Sequence, residues 1–160
     1  MHARLASKDD AAAIAAIYNE GIADRTATFE TEPRTAADIL QWIAGAHPVV
    51  VVEEDGTVVG FAATFPYRSR PCYAGIAEFS VYVARAARRR GVARDAMAAL
   101  EGACAEGGFW KLVSRVFPEN TASRALLRSC GFREVGVYER HGQLDGEWRN
   151  CVIVEKRLEN

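Results

Sequence analysis

The chain has 160 residues, 49% apolar and 26% charged, with a net charge of −1. That length builds one domain with a real core, and the balance excludes a disordered chain. The near-neutral charge gives no global field toward nucleic acid or an acidic membrane, and no apolar run approaches the ~20 residues that span a bilayer.

Met1 to Asp10 is polar and lacks the apolar core of a signal peptide. Ser7-Lys8-Asp9-Asp10 has capping-box spacing, and Ile14, Ile17, Tyr18 and Ile22 follow near helical period, so a helix is predicted over roughly residues 8–23. Thr35-Ala36-Ala37-Asp38 repeats the start signal, with Ile39, Trp42 and Ile43 as the stripe of a second short helix. Val49 to Val52 reads as a buried strand, Glu53-Glu54-Asp55-Gly56 as a hairpin turn, and Val58 to Phe65 as the returning strand. After the polar loop Tyr67-Arg68-Ser69-Arg70-Pro71, Ala77 to Val83 is a strand on which Glu78, Ser80 and Tyr82 share a face. A helix from about Val92 to Glu106 presents Ala93, Ala96, Met97, Leu100, Ala103 and Cys104, and Gly107-Gly108 ends it. Lys111 to Phe117 is a strand, Asn120 caps a helix running to about Cys130, and Gly131 suits the left-handed residue after it. Phe132 to Tyr138 and Cys151 to Lys156 are the last strands. The predicted order is α-α-β-β-β-α-β-α-β-β, one mixed α/β domain without linker or repeat.

The junction of strand, Arg88-Arg89-Arg90-Gly91-Val92-Ala93 and helix can hold an anion. A helix start leaves N–H groups without intrahelical partners and carries partial positive charge. Small residues at 91 and 93 admit a phosphate to the backbone. Neither a Walker loop nor a dinucleotide fingerprint is present. By itself the arginine run reads as a solvated basic turn before an amphipathic helix. A nucleic-acid patch would bring stacking aromatics, and none lies beside it. Cys72, Cys104, Cys130 and Cys151 form no C-x-x-C pair and there are three histidines, so neither zinc nor a disulfide framework is expected. They read as buried free thiols in a reducing cytoplasm, with no metal.

Arg88-x-x-Gly91-x-Ala93 after a strand, then Asn120-x-x-Ser123-x-x-Leu126 ending in Gly131-Phe132, resembles the GNAT superfamily of N-acetyltransferases. Ile17-Tyr18-Asn19, Thr28-Phe29-Glu30-Thr31-Glu32-Pro33, Glu78-Phe79-Ser80-Val81-Tyr82-Val83 and Gly142-x-x-x-Gly146-x-Trp148 are similar to its phosphinothricin acetyltransferase branch, over nearly the whole chain. The resemblance implies one domain over residues 1–160, a central twisted mixed sheet flanked by helices. It also implies acetyl-CoA as cosubstrate and a homodimer. The expected reaction is direct acetylation of the α-amine of phosphinothricin, arsinothricin, methionine sulfone or sulfoximine, giving resistance to a toxic analogue.

By the same resemblance Glu78 is the catalytic base. The donor is held by Val81, Tyr82 and Val83, splayed at a bulge, and by Arg88, Arg89, Arg90, Gly91, Val92, Ala93, Arg94, Asn120 and Ser129. An α-ammonium must lose a proton before it attacks a thioester, which gives a carboxylate its task. Substrate capture falls to Arg68 and Arg70, whose forks suit carboxylate or phosphinate, with Phe29, Pro71, Cys72 and Tyr73 as walls. Arg25, Glu32 and Trp148 are weaker candidates, Trp148 reading as core or dimer contact. Two positions depart from the pattern. Leu127 stands where many members carry a tyrosine acid, and Asp145 stands where some carry a histidine, with His141 four residues earlier. The rivals are a peptide or ribosomal N-terminal acetyltransferase and a non-catalytic CoA sensor. Glu78 weighs against the sensor, and an arginine-lined closed pocket against a peptide.

Overall fold

Asp55 and Gly56 adopt left-handed backbone, φ 52° and 79°, and close a two-residue hairpin between β2 (Val49–Glu54) and β3 (Thr57–Pro66). Asp-Gly fits because both turn positions require positive φ. In the computed structural model, which describes residues 1–158, this hairpin lies within a seven-stranded sheet of order β1-β2-β3-β4-β5-β7-β6. The other strands are β1 (His2–Leu5), β4 (Ile76–Val83), β5 (Lys111–Val116), β6 (Arg133–Leu144) and β7 (Glu147–Arg157). Only β4 and β5 run parallel.

Alternation along β2 divides the core. Val50 and Val52 face α3 (Val92–Glu106) and join Met97, Leu100 and Leu127 of α4 (Thr121–Ser129) in one buried layer. Val49 and Val51 face the opposite way and pack with Ile14 and Tyr18 of α1 (Ala11–Asp24) and Ile39 of α2 (Ala36–Ala44). A strand covered on both faces needs apolar residues at every position, which is why four valines run together.

The capping box expected at α2 is present: Thr35 Oγ1 accepts from the Asp38 N–H at 3.3 Å, and the Thr35 N–H donates to Asp38 Oδ2 at 2.8 Å. The capping box expected at Ser7 and Asp10 is present too, but on a short 3-10 turn, Lys8–Asp10, that precedes α1. β1 was not foreseen, because four residues, with Ala3 and Arg4 half-buried and Leu5 exposed, are too few to set a pattern. The last two strands are longer than expected. They meet at Asp145 and Gly146, φ 52° and 82°, and the pairing shifts register between Glu134 and Gly136 and between Tyr138 and Gly142. β6 is mostly exposed, so its polar residues concealed the extension past Tyr138.

Asp10, only 6% exposed, accepts from Arg4 at 2.8 and 3.0 Å and from the Ser7 N–H at 2.8 Å. Arg4 first, and Ser7 after it, hold this carboxyl below the usual aspartate range against the opposing effect of burial. A depressed folded value stabilises the fold above the ordinary aspartate range, and the contribution is lost as pH falls through the folded value. Asp10→Ala is expected to destabilise by about 2–3 kcal/mol at neutral pH, and by less in acid. Denaturant melts of both proteins across pH check this.

Candidate active site

β4 and β5 pair for three residues only, from Ile76 opposite Lys111 to Glu78 opposite Val113, and then diverge. Ser114 Oγ still reaches across the opening gap, donating to the Phe79 carbonyl at 2.8 Å. On its other side β4 stays paired with β3 without a register break, from Pro66 opposite Ala77 to Gly60 opposite Val83. The expected bulge at Val81-Tyr82-Val83 is therefore absent, and the divergence of β5 frees backbone groups instead. The Ala84 N–H donates to the Val59 carbonyl at 2.8 Å. Alternation in an antiparallel pair then turns the backbone of Tyr82 toward β3, and that of Val81 and Val83 toward the gap.

The gap widens into a cleft of about 530 Å³ between β4, the end of α1, and the N-termini of α3 and α4. A narrow extension of about 50 Å³ continues it down to Ser80 and Ser114. Gly91 is the N-cap of α3 at φ 83°, with no side-chain cap on the helix, and Arg89 is also left-handed at φ 65°. No atom lies within 4 Å of where a Gly91 Cβ would stand. Uncapped N–H groups, open space and the helix dipole together suit a phosphate.

The arginines divide by partner. Arg88 Nη2 lies 2.9 Å from Asp24, which Arg85 also holds at 2.7 Å; Arg85 and then Arg88 keep the Asp24 carboxyl below its usual range. Arg90 pairs with Glu54 and does not line the cleft, whereas Arg88, Arg89 and Arg94 do. Among the described residues Arg89 has no ion-pair partner. Arg94 donates to Ser129 Oγ at 3.0 Å, which leaves Ser129 behind the arginine rather than on the cleft wall. Val92 and Ala93 line the wall, Val92 with its side chain in the core. Asn120 lines the cleft too, but its Oδ1 caps α4 by accepting from the Ser123 N–H at 3.2 Å.

Glu78 lies where the strands part, in a small pocket of about 40 Å³ shared with Arg68, Ser114, Arg115, Tyr138 and His141. Ser114 lines this pocket and the cleft extension alike. Arg115 Nη2 donates to Glu78 Oε2 at 3.2 Å, and Arg68 Nη1 lies 3.7 Å from Oε1. Arg68 also stacks over the Tyr67 ring at 4.2 Å. A neighbouring pocket of about 510 Å³ holds Arg68, Arg70, Tyr73 and Lys111.

Other expected positions fall elsewhere. Pro71 and Cys72 are exposed on a short 3-10 turn and line neither pocket. Phe29 packs edge-on against Phe117 at 5.0 Å. It fills the space above Gly142, where a Cβ would come within 2.9 Å of its ring. Phe29 therefore closes a small apolar cluster with Leu144 and Cys151. Arg25 pairs with Asp145 at 3.0 Å, so Asp145 is tied to the end of α1, while His141 is the residue that shares the pocket with Glu78. Arg115, Ser114 and Tyr138 were not foreseen. An arginine in a strand, in step with Val113, was the available signal for Arg115.

Leu127, 2% exposed, offers no proton to the cleft extension it lines. Burial raises the Tyr82 hydroxyl well above its ordinary range, so that phenol stays protonated. Burial also pushes the Cys104 thiol up to about 11 and raises Cys151, which suits packing rather than nucleophilic attack. Contrary to expectation, not every thiol is buried: Cys72 is exposed. Among the described residues no helix is long and apolar enough to cross a membrane, and no group of three His, Cys, Asp or Glu side chains is placed to hold a metal ion.

An uncapped helix start opening on a cleft, with a carboxylate beyond it, fits the N-acetyltransferase resemblance of the motifs. The model of the Acetyltransferase (GNAT) family matches residues 14–132, and the chain belongs to that family. It is 35% identical to the phosphinothricin N-acetyltransferase of Alcaligenes faecalis, over 97% of this chain and 81% of that protein. It is 30% identical to the L-methionine sulfoximine/L-methionine sulfone acetyltransferase of Salmonella typhimurium, over 99% and 95%. Among solved structures, the ribosomal-protein-alanine N-acetyltransferase of Brucella melitensis superposes with TM-score 0.93 at 33% identity, covering 99% of this chain and 100% of that one. An acetyltransferase from Salmonella typhimurium, solved with its cofactor acetyl-CoA, superposes with TM-score 0.94 at 29% identity, covering 100% and 95%.

Proposed function

We propose that this chain is an acetyl-CoA-dependent N-acetyltransferase acting on the α-amine of a glutamate- or methionine-like amino acid: phosphinothricin, arsinothricin, methionine sulfone or methionine sulfoximine. It works as a cytoplasmic enzyme, one domain over residues 1–160, and confers resistance to a toxic amino-acid analogue. The observation that carries this reading is the meeting of two chambers at Ser114, an anion-binding cleft on one side and a carboxylate flanked by two arginines on the other.

The donor's pyrophosphate lies on the N–H groups at the start of α3, near Arg89. Its pantetheine arm follows the open edge of β4, which brings the thioester toward Ser80. Glu78 takes a proton from the acceptor ammonium, and the freed nitrogen attacks the thioester carbonyl. The new N–C bond places negative charge on the carbonyl oxygen, within reach of a backbone donor of β4. The C–S bond then breaks as the nitrogen gives up its second proton to water, and the thiolate leaves through the cleft and is protonated from solvent, since Leu127 supplies no proton. No covalent enzyme intermediate is needed.

Arg68 or Arg70 holds an acidic group of the acceptor. Replacing the correct one with Ala is expected to raise KM for the amino acid by about 10–100-fold, the range of a charged hydrogen bond. KM for acetyl-CoA stays nearly unchanged. Equal effects on both substrates, or on neither, in steady-state assays would count against this clamp.

A homodimer fits the free edge of the sheet. β6 is an edge strand, and Val135, Val137 and Tyr138 on it are exposed, as is Trp148 on β7. Apolar edges of this kind pair with a second chain or are otherwise protected. A monomer mass in light scattering would exclude the dimer. The 510 Å³ pocket also favours a second reading, a peptide N-terminus as acceptor, because it adjoins the small Glu78 pocket and offers much more room.

A further inference from the structure

We infer that Arg115 receives the α-carboxylate of the acceptor, and so selects a free amino acid over a peptide N-terminus. The inference rests on the amino-acid reading above and deepens it.

Arg115 lies two residues beyond Val113, the partner of Glu78 across the parallel pair, so both side chains stand on one face of the sheet. Its Nη2 donates to Glu78 Oε2 at 3.2 Å, and among the described residues it makes no other hydrogen bond. The side chain is 47% exposed, and four of its five N–H donors are free for a ligand.

The space beside Glu78 is small, about 40 Å³, and shares Tyr67, Arg68, Val113, Tyr138 and Ile153 with the larger pocket. An acceptor nitrogen that meets the Glu78 carboxylate takes the place of the guanidinium groups on it. Exposed ion pairs are weak, so Arg115 exchanges partners readily. An acceptor whose nitrogen meets Glu78 carries its α-carboxylate two bonds from that nitrogen, next to the Arg115 fork. The side-chain head then extends outward to Arg68 and Arg70 in the larger pocket. A carboxylate takes the fork in two parallel hydrogen bonds. A peptide N-terminus presents a neutral amide at that place and leaves Arg115 on Glu78.

The test compares methionine sulfone with its carboxamide in wild type, Arg115→Gln and Arg115→Lys, each at saturating acetyl-CoA. Wild type is expected to favour the acid by about 10–100-fold in kcat/KM. Arg115→Gln abolishes that preference by raising KM for the acid. The carboxamide, which carries no charge for Arg115 to hold, loses less than the acid does, and neither KM for acetyl-CoA nor the thermal melt changes. Arg115→Lys restores part of the preference. Equal use of acid and carboxamide by wild type, or a preference that survives in Arg115→Gln, overturns the assignment. A wild type that acetylates neither compound but does acetylate an alanine-terminated peptide overturns the amino-acid reading itself, and this role with it.

Discussion

Glu78→Gln is expected to lower turnover by about 10²–10⁴-fold, the range that a positioned base contributes to proton transfer. An ammonium has no lone pair for a thioester, and Glu78 is the carboxylate lining the pocket where β4 and β5 part. Glutamine keeps the shape and can still accept from Arg115, so the pocket should stay intact. Affinity for acetyl-CoA is preserved, because the start of α3 is untouched. Raising the pH partly rescues the variant, since solvent then supplies more free amine. Near-native turnover at neutral pH across several amino acids would remove Glu78 from the mechanism.

Gly91→Glu is expected to weaken acetyl-CoA binding by about 10–10³-fold. Two like charges at contact distance repel by about 1 kcal/mol in bulk water and about 4 kcal/mol near a protein surface. The new side chain enters open space at the mouth of the helix, where the donor's pyrophosphate is placed. Gly91 also sits at φ 83°, and a side chain there costs roughly 1–2 kcal/mol of stability. Gly91→Asn separates the two effects, because asparagine tolerates left-handed backbone and carries no charge. It should keep most of the affinity. Calorimetry that finds Gly91→Glu unchanged, or Gly91→Asn equally impaired, would contradict the phosphate site.

The helices were legible because their signals are local. The capping box at Thr35, the Asn120 cap and the glycines at 91 and 107 mark ends that the chain alone decides. The Asp55-Gly56 turn was legible for the same reason. β1 and the extension of β6 past Tyr138 were not, since one is four residues long and the other is exposed and depends on a partner strand. At the site, the position of Gly91 and the placement of Glu78 and Arg68 in one pocket follow from motif order. What sequence could not show was how charges pair across the fold. Arg90 is held by Glu54, Arg88 by Asp24 and Arg115 by Glu78, at separations of 36, 64 and 37 residues. Asp145 and His141 illustrate the same limit. Only the hairpin geometry decides that the aspartate reaches Arg25 while the histidine stays beside Glu78.

The most direct test is thiol release from acetyl-CoA by the purified protein, with phosphinothricin, methionine sulfone and an alanine-terminated peptide offered in parallel. Release with a free amino acid, and mass addition of one acetyl group on its α-nitrogen, is the expected result. Release with the peptide alone, or with none of the three, would contradict the proposed activity.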